Sequence, residues 1–301
     1  MKTSTLSSTE LIDKVMNARS MRDVFTQMDK FEETYTAYMK ILHPDRCTDP
    51  GAGEAVARLN TWRDELKKGL KATFDGLSVV VTNDAISYEG TSAILRWSCD
   101  NYNKLVALKQ PDFNGFFPYL PKRVIMDDNK VPTKVVNIIP YRVLQLSTLY
   151  PLPEEHVRWV LNRMLEFSTW MNQAGYVHAG ISPESIYVAP HNHGLICASF
   201  HHMQRVGAKL ATISGKWSNF YPAQVFKNKQ ALSNIDIELS KKTAIWLLGD
   251  KSGMGNTLRG KIDDEFLHFL QKKSFSPYET ITEYKEFIKR KYKSQFYELH
   301  V

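Results

Sequence analysis

"YVHAGISPESIYV", residues 176–188, is a polar loop held between two short apolar runs, Tyr176-Val177 and Ile186-Tyr187-Val188. Before it, "PEEHVRWVLNRMLEFSTWMNQAG" places Val157, Leu161, Met164, Phe167 and Met171 at helical spacing. That run ends at Gly175, a residue suited to the left-handed position after a helix. After it, "GLICASFH" reads as an apolar strand running into Ser199, Phe200 and His201. Earlier runs, "LSVVVTN", "SAILRWS", "NKLVALKQ" and "KVVNIIPYRVLQL", are rich in β-formers and separated by turn residues, which predicts strands. Strands first and helices afterwards imply a two-lobed α+β unit over residues 75–301, with lobes at about 75–150 and 151–301.

The loop resembles the catalytic loop of protein kinases, H-R-D-x-x-x-x-N. His178 keeps the His, Ala179 replaces the Arg, Gly180 replaces the base Asp, and Ser185 replaces the metal-binding Asn. Pro183 and Glu184 match the family's Pro-Glu, and Ser199, Phe200 and His201 fall where it has Asp-Phe-Gly. "VALK" is similar to the third-strand motif, which would make Lys109 the nucleotide-binding lysine. "SYEGTSAI" would be the loop over the phosphates, reduced to the single glycine Gly90. Gln224 takes the place of the Glu in Ala-Pro-Glu, and Asp236 that of the buried structural Asp.

Phosphoryl transfer needs a carboxylate to accept the hydroxyl proton, and an Asp with an Asn to hold Mg²⁺. Gly180, Ser185 and Ser199 supply no charge, and a hydroxyl is a poor substitute for a carboxylate at magnesium. No glutamate in "QPDFNGFFPYLPKRVIMDD" offers Lys109 the usual ion-pair partner. The resemblance therefore implies a pseudokinase with no expected cofactor, although ATP without magnesium-dependent catalysis is compatible with it. Asp112, Asp127 and Asp128 are the candidates for substitute metal ligands. His191, His193, His201 and His202 lie near the same loop, but turn histidines need no metal to explain them, and no metal site is assigned. Gly255 to Lys261 fits a G-x-x-x-x-G-K frame, with Ile262 in the required Ser/Thr position and no strand before it, which excludes a phosphate loop.

The first 74 residues read as an all-α module. "FEETYTAYMKIL" places Phe31, Tyr35, Tyr38, Met39 and Leu42 on one helical face, and "HPD" stops it, because a proline disfavours helix at the residue before it. "EAVARLNTWRDELKKGL" repeats the period at Val56, Leu59, Trp62, Leu66 and Leu70, so the two helices should pack antiparallel. Ser7 and Glu10 form a capping box for an earlier helix, and "SMRDVFTQM" adds a short one. A helix ending in "YMKILHPDR", then a loop and a second helix, resembles the J domain of DnaJ-type co-chaperones. The resemblance implies docking to a DnaK-class heat-shock chaperone through His43, Pro44 and Asp45, with Lys40 and Arg46 beside them. The basic face is thin, since Glu32 and Glu33 share the helix.

The fold class is thus α followed by α+β: a J-domain-like helical hairpin, then a two-lobed protein-kinase-like domain. The implied function is a non-catalytic adaptor coupling a chaperone to a client protein. Two alternatives stay open: an atypical phosphotransferase using substitute metal ligands, and a pure interaction or inhibitory protein with both ancestral activities lost. The net charge of +7 is regional, with nine Lys/Arg against three Asp/Glu between residues 201 and 260. That segment has no dense basic run with interleaved aromatics, so a solvated face is its plainer reading, nucleic acid is disfavoured as a partner, and the region is the candidate contact patch for a protein client. The amphipathic C-terminal "KEFIKRKYK" is likewise read as a helix with a wet basic side. Three dispersed cysteines, no eighteen-residue apolar run and a polar N-terminus predict a cytoplasmic protein with no membrane partner.

Overall fold

The computed structural model describes residues 6–18, 21–25, 30–43, 45–108, 111–139, 141–190, 192–292 and 299, with backbone alone for residues 22, 65–68 and 111–114. The chain divides into two compact units, Met1–Leu70 and Lys71–Val301. The division falls ahead of the expected boundary at residue 74, because Leu70–Phe74 is the first strand of the sheet that follows.

The first unit holds α1 (Ser8–Asn17), α2 (Met21–Val24), α3 (Phe31–Leu42) and α4 (Ala52–Lys68). Ser7 and Glu10 form the capping box of α1, each side chain meeting the other's backbone N–H. Phe31, Tyr35 and Leu42 of α3 are buried with Ala55, Leu59 and Trp62 of α4 in one apolar cluster. The Tyr35 hydroxyl donates to Asn60 and Arg63 pairs with Glu32, a reversed order of contacts that sets the two helices antiparallel. Arg58 of α4 donates to the carbonyls of Met16 and Ala18 and ties α1 to the hairpin. The side chain of Leu66 lies outside the described residues, and Leu70 belongs to a strand, half exposed.

The second unit begins with a five-stranded sheet of β1 (Leu70–Phe74), β2 (Leu77–Val81), β3 (Ala85–Glu89), β4 (Arg123–Met126) and β5 (Lys134–Ile138), in the order β1-β2-β3-β5-β4. Between β3 and β4 the chain forms α5 (Ser92–Val106). Here the structure corrects the sequence reading: "SAILRWS" and "NKLVA" are one helix, not two strands. Its buried residues, Leu95, Ser98, Cys99, Tyr102 and Leu105, recur at intervals of three and four, so the helical period outweighs local β-propensity. The third strand is "AISYE", which had been read as part of a glycine loop.

The rest is mainly helical. β6 (Leu144–Gln145) leads to α6 (Glu154–Gln173), β7 (Tyr176–Val177), β8 (Ile186–Ala189), β9 (Gly194–Cys197) and β10 (Gln204–Arg205). Helices α7 (Ala223–Asn228), α8 (Ile235–Leu247), α9 (Asp264–Gln271) and α10 (Pro277–Lys291) follow. All five residues expected on the inner face of α6 are fully buried, and Gly175 closes that helix with φ of +81°. Antiparallel β6, β8 and β9 form a small sheet, and β7 pairs with β10. Along α10, Tyr284 and Phe287 are buried while Lys289, Arg290 and Lys291 stay exposed, the wet basic side read from sequence. All three cysteines are buried and free, and among the described residues no helix is long and apolar enough to cross a membrane.

Candidate functional site

The loop between β7 and β8 is held from beneath by α8. The buried carboxylate of Asp236 accepts from the backbone N–H of His178 at 2.6 Å and of Ala179 at 2.7 Å. Burial pushes Asp236 up to about 7, against these two donations. Ala179 takes the left-handed conformation, φ +53°, and its carbonyl accepts from the Tyr221 hydroxyl. The scaffold expected of Asp236 is in place. His178 is fully enclosed and neutral, because burial, then the neighbouring His202, lowers it to about 3.

Ser185, Ser199 and Gly180, the three positions singled out in the sequence, each meet a neighbour within the fold. Ser185 Oγ accepts from the Ser182 N–H at 2.9 Å, inside the loop. Ser199 Oγ lies 2.8 Å from Nδ1 of His201. At Gly180 a Cβ would stand 2.8 Å from Cδ2 of His202, so this histidine fills the space beside the position of the missing base.

The opposite wall is the turn between β1 and β2. Asp75 and Gly76 have φ of +47° and +85°, the pair of positive values that a tight hairpin demands. Asp75 Oδ1 accepts from Ser214 Oγ at 2.8 Å and from the Lys216 N–H at 3.3 Å, while Oδ2 lies 3.4 Å from Nε2 of His202. Burial raises Asp75, but His202, Ser214 and the Lys216 backbone together outweigh it and hold the carboxyl at about 2. Glu184 fixes the hairpin from the loop side. It accepts from the Asp75 N–H at 3.0 Å and Thr73 Oγ1 at 2.9 Å, and also from the Lys216 ammonium and the Trp217 indole. Gln145, in the segment joining sheet to helices, donates to the carbonyls of Thr73 and Glu184. The hairpin is therefore stitched to the loop on both sides of the cleft.

Strand β3 faces α5 through Tyr88, whose hydroxyl is 2.5 Å from Ser98 Oγ. The same Oγ accepts from the Phe200 N–H at 3.1 Å. A neutral hydroxyl pair thus ties strand, helix and the Ser199-Phe200 segment.

Several expected site residues lie elsewhere. Lys109 lies outside the described residues; Val106, at the start of "VALK", ends α5 and Ala107 caps it, so these two do not form the expected strand. Gly90 sits between β3 and α5, where a Cβ would meet Leu77; the hairpin turn is at Asp75-Gly76 instead. Asp127 accepts from Thr133 and Asn129 and closes the β4–β5 hairpin on itself; Asp128 beside it is exposed, and the side chain of Asp112 lies outside the described residues. His193 stacks on Trp159 at 4.1 Å, and His191 lies outside the described residues. Gln224 is exposed on α7.

In the first unit, His43 caps α3, and its Nδ1 accepts from the Asp45 N–H at 3.2 Å. Its carbonyl accepts from the N–H groups of Arg46 and Cys47, which shapes the loop. Both His43 and Asp45 are exposed, at the edge of a depression of about 570 Å³ lined by Thr36, Met39, Lys40, His43, Asp45 and Arg46. Pro44 lies outside the described residues.

This arrangement of strands, loop and buried carboxylate defines a protein-kinase-like fold. The ROP18 kinase domain, solved in complex with AMP-PNP and sucrose, superposes with a TM-score of 0.53 at 10% identity, over 73% of this chain and 80% of that one. Vaccinia related kinase 3 superposes with a TM-score of 0.48 at 11% identity, over 74% of this chain and 91% of that one. No family model and no curated protein sequence matches. The likeness is one of fold.

Proposed function

We propose that this chain is a non-catalytic adaptor, in which the helical unit recruits a DnaK-class chaperone and the kinase-shaped unit binds a protein client without transferring phosphate. The observation that carries the reading is the Asp75 hairpin, whose carboxylate accepts from Ser214 and the Lys216 N–H and whose backbone N–H donates to Glu184. An ionised Asp75 would repel the phosphates of a nucleotide brought beside the hairpin, which disfavours binding of the kind seen for the ROP18 kinase domain with AMP-PNP. Gly180, Ser185 and Ser199 leave a divalent ion beside that nucleotide without the carboxylates it needs.

The chaperone half is supported by the exposed His43 and Asp45, with Lys40 and Arg46 beside them. The client face falls on the segment after residue 201, where Arg205, Lys209, Lys227 and Lys229 are exposed together with Val206 and Phe226. Such a face suits an acidic, partly apolar protein surface in the cytoplasm. Lys241 does not contribute, being buried against the Lys272 carbonyl and Ser274.

Steady-state ATP hydrolysis by a DnaK-class chaperone should rise when the full chain is added, and His43→Gln should return it to the basal rate with the circular dichroism spectrum unchanged. A wild-type chain that leaves several such chaperones at their basal rates would remove the chaperone half of the proposal.

A further inference from the structure

Side chains from two distant parts of the chain, Asp75 and the adjacent pair His201 and His202, converge where the hairpin meets the loop. One donor atom from each of Asp75, His201 and His202 lies within 4.8 Å of the other two. We propose that these residues form a transition-metal site of the zinc class, which clips the β1–β2 hairpin into the cleft.

The geometry favours a shared cation over a hydrogen bond. Nε2 of His202 is buried without a hydrogen-bond partner and stands 3.4 Å from Asp75 Oδ2. Donors about 2.0–2.1 Å from a tetrahedral ion are separated from one another by about 3.3 Å. Both rings are oriented through their other nitrogen. Nδ1 of His201 is 2.8 Å from Ser199 Oγ, and Nδ1 of His202 is 2.8 Å from Thr212 Oγ1, which leaves Nε2 of His202 as its open donor. This outer hydroxyl pair is the arrangement that fixes tautomer and ring plane in histidine metal sites.

The protonation states also suit binding. A carboxylate and two imidazoles offer the deprotonated donors that a metal ion takes up. Two nitrogens and one carboxylate select zinc or a similar ion over magnesium, which prefers six oxygens. Three protein donors leave a fourth position for water or an incoming ligand. The serine that replaces the family's metal-binding aspartate thus acquires a role as the orienter of His201, and Gly180 makes room for His202.

The test is a titration of the chelator-treated full chain with Zn²⁺ and with Co²⁺. One equivalent of each should bind, and the cobalt form should show the visible absorption of a four-coordinate nitrogen and oxygen site with no thiolate charge-transfer band. Asp75→Asn and His201→Gln should each weaken zinc binding at least tenfold, and Thr212→Val by about 10- to 100-fold as the loss of an orienting partner. Circular dichroism confirms that each variant is folded, and the wild-type cobalt spectrum stands apart from the variants. Failure of the wild type to take up an equivalent, a thiolate band, or affinity unchanged in both Asp75→Asn and His201→Gln would overturn the assignment.

Discussion

Replacing Glu184 by alanine should lower the stability of the chain by about 3–5 kcal/mol, because the buried carboxylate is the common acceptor of four donors and three of them would be left unpaired at about 1–3 kcal/mol each. Its removal strands the Asp75 N–H, the Thr73 hydroxyl and the Trp217 indole, and leaves the Lys216 ammonium without its counter-charge. For a unit of this size each kcal/mol corresponds to about 2–4 °C, so the melting temperature should fall by on the order of 10 °C. Glu184→Gln retains an acceptor of the same shape and should lose less. Hydrogen exchange of the Asp75 and Gly76 amides should rise in the alanine variant before global unfolding does. A loss below about 1 kcal/mol would mean that the hairpin is held by something other than this carboxylate.

The second large effect concerns restoration of the missing base. Gly180→Asp should destabilise the chain by several kcal/mol and yield no phosphotransfer. The new Cβ would sit 2.8 Å from the His202 ring, which is held by Thr212 and lies against Asp75, so the ring cannot move without breaking what fixes it. Overpacking of this kind costs about 1–3 kcal/mol, and burying a further carboxylate adds to it. Removing the obstacle should recover part of the loss. In a double-mutant cycle, Gly180→Asp made on a His202→Ala background should cost less than on the wild type, by on the order of 1 kcal/mol. Additivity of the two changes would show that His202 does not occupy this space.

The parts of the fold that could be read from sequence are those where a strong period meets a strong stop. The inner face of α6 follows from five residues at helical spacing and the glycine after them, and Asp236 falls where the kinase pattern places it. The region before β4 was misread because "SAILRWS" and "NKLVALKQ" carry β-prone residues, while the burial that makes them one helix comes from the sheet and the Phe200 segment packed around it. The letters of "VALK" resemble a strand motif and draw the eye to Lys109 and Gly90, whereas Tyr88 and Ser98 belong to no motif and meet only in the fold. Asp75 was missed for a different reason. "DG" between apolar runs is a hairpin signal that was available at residues 75 and 76, but its partners, Ser214, Lys216 and His202, are more than a hundred residues away. Likewise, nothing in the sequence says that Gly180 and His202 share one volume, since close packing between loops leaves no periodic trace.

The central claim is that the protein's own hairpin and neutral loop close the cleft to a metal-bound nucleotide. The direct measurement is the thermal unfolding of the full chain with and without saturating MgATP, with labelled phosphate followed in parallel. Coincident unfolding curves and no incorporated label are predicted. Stabilisation of about 2.7 kcal/mol, the value for a ligand at 100 times its dissociation constant, together with label on a substrate, would contradict it.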